Sequence, residues 1–151
     1  MSLLIIDLNL QPLSYNAYYR NSHSGNRIKT GAGLAYDEEL EYLLNNYSDE
    51  LKIFGKSLDP SKNIVSMGIK YYNPGMLLKD KSRLSKTAGD LDNIIKVLQD
   101  KLFKLICEDD SIVRRLKDIY DVPSDEYGIR ITLGIEPIPD FCPNDLGSLD
   151  S

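Results

Sequence analysis

From Leu91 to Ile106 the apolar residues of this chain return with a helical period, and acidic residues stand at both ends. At about 100° per residue, Leu91, Ile94, Ile95, Leu98, Leu102 and Leu105 fall within roughly 50° of one direction. Such a stripe has to face a core, so it predicts one long amphipathic helix over Asp92–Ile106. Beside the stripe, Asp92, Lys96, Gln99 and Phe103 line a second strip about one turn apart. A carboxylate, an ammonium, an amide and an aromatic ring thus share one side of the predicted helix.

The segments around this helix alternate in a different way. Leu3–Leu10 and the β-branched, aromatic run Asn63–Asn73 read as strands. "SIVRRLKDIYDV" and "YGIRITLGIEP" read as two more, and the turn-rich "PSDE" between them predicts a hairpin. Leu34–Tyr47 reads as a second helix with Leu34, Leu40, Leu43 and Leu44 on one face, and Gly31 and Gly33 just before its start. The expected order is β-α-β-α-β-β, an α+β fold in which two main helices pack on a mixed β-sheet.

Two polar stretches interrupt that order. "QPLSYNAYYRNSHSGNRIKTGAG" is long for a loop of a compact domain, which suggests a functional or mobile segment. Its Arg20, Arg27 and Lys29, with Tyr15, Tyr18 and Tyr19, suit phosphate contacts and stacking on unpaired bases. Half-burial of Tyr18 or Tyr19 at the start of the fold is an equal alternative. The second stretch, "PGMLLKDKSRLSKTAG", sets Lys79, Lys81, Arg83 and Lys86 against a single acid, Asp80.

At 151 residues the chain is expected to form one domain over residues 1–136, followed by a tail over 137–151. The tail, "PIPDFCPNDLGSLDS", is Pro-rich, holds three Asp and no basic residue, and is expected to be largely disordered. With Phe141 it is a candidate dock for a basic protein partner, a solvated terminus being the plainer reading. The formal charge of −5 argues weakly against nucleic acid, although the tail supplies much of the acidic excess. No apolar run is long enough to cross a bilayer, so no membrane partner is expected. "MSLLIIDLNLQ" reads as a strand rather than a secretory leader, and Cys107 and Cys142 form no CxxC, which together suggest a reducing, intracellular setting.

The acids around the predicted helix allow two accounts. Asp90, Asp92 or Asn93 can cap a helix, and Asp92 with Lys96 can be an ordinary i,i+4 ion pair. Alternatively, "DLDN…K…EDD" contains the carboxylates that a hard divalent cation takes as ligands, together with a lysine to oppose charge on a phosphoryl group.

Three motifs then carry a resemblance. "SYNAYYR" (Ser14–Arg20), "DLDNIIK" (Asp90–Lys96) and "EDDSIV" (Glu108–Val113) occur in this order. With the two terminal strands, they make most of residues 3–136 similar to the RusA family of Holliday-junction resolvases. The resemblance implies a homodimeric, Mg²⁺-dependent endonuclease (Mn²⁺ substituting) that cuts four-way DNA junctions. It implies catalytic and metal-binding roles for Asp90, Asp92 and Asp110, with Lys96 assisting; Asp109 is the neighbouring acid of the matched pair. Where the family carries a basic run directly before D-L-D-N, this chain has "LSKTAG", and its cations stand earlier. Where the family tends to carry an aromatic, this chain has Gln99, so Phe103 one turn on is the candidate for stacking on DNA. Arg20, Arg27, Lys79, Lys81, Arg83 and Lys86 are then the candidate phosphate contacts. A non-catalytic DNA-structure or partner-binding protein on the same fold is the alternative, and an unrelated interaction protein with a merely capped helix is a third.

The predicted helix also sets a distance. Fifteen residues from Asp92 to Ile106 span about 22 Å, and the four residues on to Asp110 cover at most about 14 Å. Within one chain Asp110 then meets Asp92 only if the helix ends early or bends. A two-fold partner removes the problem by bringing the start of one helix beside the end of its mate.

Overall fold

The computed structural model describes residues 3–85, 91–106 and 110–144, with Tyr15, Asp92 and Asn93 described for the backbone alone. The elements are β1 (Leu3–Leu8), α1 (Tyr15–Tyr18), β2 (Tyr19–Asn21), β3 (Arg27–Lys29), α2 (Gly31–Leu44), α3 (Ser48–Ser57), β4 (Asn63–Asn73), α4 (Leu91–Ile106), β5 (Val113–Pro123) and β6 (Gly128–Pro137). One-turn 3₁₀ segments join α2 to α3 and precede β5 at Asp110–Ile112.

The main sheet has the order β1-β6-β4-β5. β6 is antiparallel to both β1 and β4, whereas β4 and β5 run parallel, so the sheet is mixed. Alternation assigns its two faces. Ile6, Leu8, Val65, Met67, Ile69, Tyr71, Ile129, Ile131 and Leu133 point into the core with residues of α2, α3 and α4. Between them, Asp7, Lys70, Tyr72, Arg130 and Thr132 take the opposite face, where Arg130 grips Asp7 through two hydrogen bonds of 2.8 and 3.2 Å.

The expected hairpin of the last two strands does not form. α4 is a crossover that delivers β5 parallel to β4 at the sheet's edge, and β6 then inserts between β4 and β1. A two-stranded hairpin would cover one side of β6; the observed arrangement pairs both sides and buries Ile129, Ile131, Leu133 and Ile135. The helical layer also exceeds the expected pair. α2 starts at Gly31, and α3 follows it almost directly, burying Leu51 and Phe54.

Two helix faces differ from the apolar count. In α2 the buried residues are Gly33, Tyr36, Asp37, Leu40 and Leu44, while Leu34 is 55% exposed. In α4 the covered arc includes Val97, Phe103 and Ile106 beyond the expected stripe, because α1, α2 and α3 all pack against it besides the sheet.

Candidate functional site

The first polar stretch is structured. Ser14 caps the single turn of α1, accepting from the N–H of Ala17 on its side chain and of Tyr18 on its carbonyl. β2 and β3 then form a small hairpin in register Tyr19↔Lys29, Arg20↔Ile28 and Asn21↔Arg27. Gly25, at φ +84°, turns the chain where a side chain would be strained. Thr30 ends the hairpin and begins α2: its Oγ1 accepts from the Gly33 N–H at 2.9 Å and donates to the Ala17 carbonyl at 2.7 Å. Gly33 is required here, since a Cβ would run into the backbone carbonyl of Tyr18.

That close approach places a carboxylate under the hairpin. Asp37, only 7% exposed, accepts a short hydrogen bond from the Tyr18 hydroxyl and one of 2.7 Å from Lys29 Nζ. Lys101 of α4 approaches the same carboxylate at 3.6 Å and Glu41 at 3.9 Å. Burial alone pushes the Asp37 pKa up, but the hydrogen bonds from Lys29 and Tyr18 and the charge of Lys101 override it and hold the group below the usual carboxylate value. Burial, and then donation to Asp37, push the Tyr18 hydroxyl up to about 12. The Asp37 hydrogen bond likewise raises Lys29, so all three groups keep their ordinary charge states near neutrality.

Above this cluster opens a cleft of about 330 Å³, lined by Tyr18, Tyr19 and Lys29 on one side and by Val97, Asp100, Lys101, Phe103 and Lys104 of α4 on the other. Asp110 belongs to the same lining, and the 3₁₀ turn that it begins packs on α4. The expected acid after the helix therefore folds back beside the last turns of α4.

The remaining expected residues divide clearly. Lys96 lies on the exposed side of α4. Asp92 is the second residue of the helix, with its side chain outside the description, and Asp90, Lys86, Asp109 and Cys107 lie outside the described residues. Among the described residues no three potential ligands gather into a metal cluster. Phe103 requires correction: its ring is 3% exposed and belongs to the core, so it cannot stack on a base, whatever its angle beside the leucine stripe.

Lys79, Lys81 and Arg83 are exposed on a second hairpin. A Leu77↔Leu84 bridge and a 3.0 Å bond from Leu78 N–H to the Arg83 carbonyl close it. Asp80 stiffens the tip by accepting from both the N–H and the hydroxyl of Ser82, at 3.1 and 2.7 Å. Arg20 and Arg27 are also exposed, but successive strand residues alternate sides, so they project from opposite faces of the β2–β3 hairpin. Arg27 shares its face with Lys29 and Tyr19.

Sequence reasoning missed Asp37, Asp100, Lys101 and Lys104. The signal for Asp37 was present: Gly33, Asp37, Leu40 and Leu44 recur at helical spacing, which puts an acid on the buried face. Lys101 likewise falls between Leu98 and Leu105 in the apolar arc of α4.

The site thus joins the Ser14–Arg20 segment, α4 and Asp110, and this combination has a counterpart among known proteins. The family model of endodeoxyribonuclease RusA matches residues 11–134. The chain belongs to the RusA family. Curated proteins provide no match. RusA proteins are endodeoxyribonucleases that resolve Holliday junctions with the help of divalent metal, and branched DNA is their substrate class. The match spans the β2–β3 hairpin, the basic hairpin, α4, β4, β5 and most of β6, and leaves out β1.

Proposed function

We propose that this RusA chain is a Mg²⁺-dependent nuclease that cuts four-way junctions as a homodimer with shared sites. Asp90, Asp92 and Lys96 come from one subunit and Asp110 from the other. One observation carries this reading. α4 is an unbroken helix of 16 residues, about 24 Å long, with residue 92 in its first turn and Asp110 folded against its last turns. Opposite ends of one helix become neighbours when two such helices meet antiparallel about a two-fold axis.

The donor set fits the metal in kind. Asp90, Asp92 and Asp110 offer only carboxylate oxygens, which suit a hard cation that keeps part of its water shell. These carboxylates would hold Mg²⁺, which would supply a coordinated water of lowered pKa and oppose charge on the leaving oxygen. Lys96, exposed on the same helix, places an ammonium where negative charge grows on the phosphoryl oxygens. Lys79, Lys81 and Arg83 on their stiffened hairpin, with Lys86, Arg20 and Arg27, hold the arms of the junction through backbone phosphates. Two sites related by a two-fold suit paired cuts on strands of like polarity.

The test is a synthetic four-way junction incubated with protein and Mg²⁺. Symmetric nicks are expected from the wild type, and Asp110→Asn should bind the junction without cutting it. Junction binding by the wild type without cleavage in Mg²⁺ or Mn²⁺ would instead favour a non-catalytic binding protein.

A further inference from the structure

We propose that the cleft between the β2–β3 hairpin and α4 seats one phosphodiester of the bound strand, held by Lys29 and Lys101 and bordered by Lys104. The inference rests on the nuclease reading above and extends it to residues outside its metal and lysine set.

Three ammonium groups reach this cleft from two elements, Lys29 from β3 and Lys101 and Lys104 from α4. Two of them are fixed from below by one carboxylate, with Lys29 at 2.7 Å and Lys101 at 3.6 Å from Asp37. As a stabilising device this arrangement is poor, because an apolar trio of similar size usually serves a fold as well or better. As a binding device it has a purpose. Ammonium groups already held in place lose less freedom when an anion arrives than solvated lysines would. The lysine side chains are 35% and 13% exposed, so both are constrained while the cleft remains open to solvent.

The charges point the same way. The lining of the cleft carries three ammonium side chains, Lys29, Lys101 and Lys104, against two carboxylates, Asp100 and Asp110. Asp37 beneath and Glu41, 3.9 Å from Lys101, lie outside the lining. The lining is thus net positive without metal, and becomes more so once the Asp110 charge is shared with a divalent cation. An anion then finds a favourable place beside the reaction centre rather than inside it. Tyr19, half-buried on the same wall, offers a ring face against which a sugar can lie. Arg27, on the same face of the hairpin as Lys29, continues the basic surface outward.

The experiment is a salt series of junction binding by the full chain without metal, read by fluorescence anisotropy. Lys29→Gln, Lys101→Gln and the double variant are compared with wild type, each with a thermal melt. Each lost phosphate contact should lower the slope of log K against log salt by about 0.9, and Lys101→Arg should restore it. Lys117→Gln, on β5 and outside this cleft, should leave the slope unchanged. A lower melting temperature with an unchanged slope would make the cluster a structural fastening only and overturn the inference. Should Lys101→Gln fail to fold, Lys29→Gln, the more exposed of the two, decides alone by the same slope. Wild-type cleavage in Mg²⁺ with unchanged variant slopes overturns the phosphate seat and spares the nuclease reading; a wild type that neither binds nor cuts junctions overturns both.

Discussion

Lys29 Nζ lies 2.7 Å from Asp37 Oδ2, and this contact fastens the β2–β3 hairpin to the buried face of α2. The carboxylate is covered, its two lysines are partly wet, and the Tyr18 hydroxyl completes its hydrogen bonding.

Asp37→Asn should therefore destabilise the protein. Removing one partner of a fully buried pair costs about 3–5 kcal/mol, and since Lys29 can turn to water, about 2–3 kcal/mol is expected here. The pH dependence has a definite sign. Asp37 titrates below its unfolded value of 3.8, so its contribution is present above about pH 4 and is lost as pH falls through the folded pKa. Lys29 titrates above its unfolded value of 10.5, so its share is complete below that pH and fades as pH rises through the folded value. Urea unfolding should show a constant gap between wild type and variant from about pH 5 to 9, narrowing toward pH 3. A gap that widens in acid would contradict the assignment.

Gly55→Ala tests the joint between α3 and α4. A Cβ at Gly55 has no room beside the backbone carbonyl of Ile106, the last residue of α4. Forcing the helices apart should cost about 1–3 kcal/mol, as overpacking does. Because Ile106 leads into the segment that places Asp110, junction cleavage should fall more than junction binding. Equal losses in both would mean that the end of α4 does not position the acid.

The shared-site proposal makes an unusual prediction for mixtures. Asp92→Asn and Asp110→Asn should each be inactive alone. In a heterodimer of the two, one composite site carries both defects and the other carries none, so single-strand nicking should return. With subunit exchange shown by mass spectrometry, absence of nicking would place each site within one chain.

Removing the acidic end should strengthen DNA binding at low salt. The cut belongs after Pro139, since the Ile138 N–H donates to the Lys62 carbonyl at 2.9 Å and Ile138 and Pro139 line a common pocket with Arg114 and Arg115. The shortened chain loses three aspartates and Phe141, which is 92% exposed. Tighter junction binding at 50 mM salt, with the difference vanishing by 300 mM, is the expected titration; weaker binding at both salts would give the tail a positive role in binding.

The legible parts of the fold were those where local pattern and burial agree. Asn63–Asn73 was recognisable to its ends because β4 is covered along its length and filled with β-branched and aromatic residues. For α4 the expected end matches and the expected start falls one residue late, since sixteen residues supply enough turns for the period to show. α3 escaped notice because only Leu51 and Phe54 are buried in it. β2 and β3 are three residues each, too short to establish any alternation. Strand pairing was misjudged for a different reason. The link between β5 and β6 has turn residues, but which strands pair depends on where α4 delivers β5, and no local signal carries that. At the site, the D-L-D-N and D-D acids stood out by spacing, whereas Asp37 resembled one more acid of a polar helix until its neighbours were seen to be buried.

The sheet order has a consequence for how the protein comes into being. β1 comes first in chain order among the strands of the main sheet, and its strand partner there is β6, which spans Gly128–Pro137. A chain emerging from the ribosome must hold Leu3–Leu8 unpaired while more than a hundred residues follow, and contacts so distant in sequence form slowly. The cleft itself draws on residues as far apart in sequence as Tyr18 and Asp110. The sheet that carries this cleft therefore settles only after β6 has been made, later than every residue that lines the cleft.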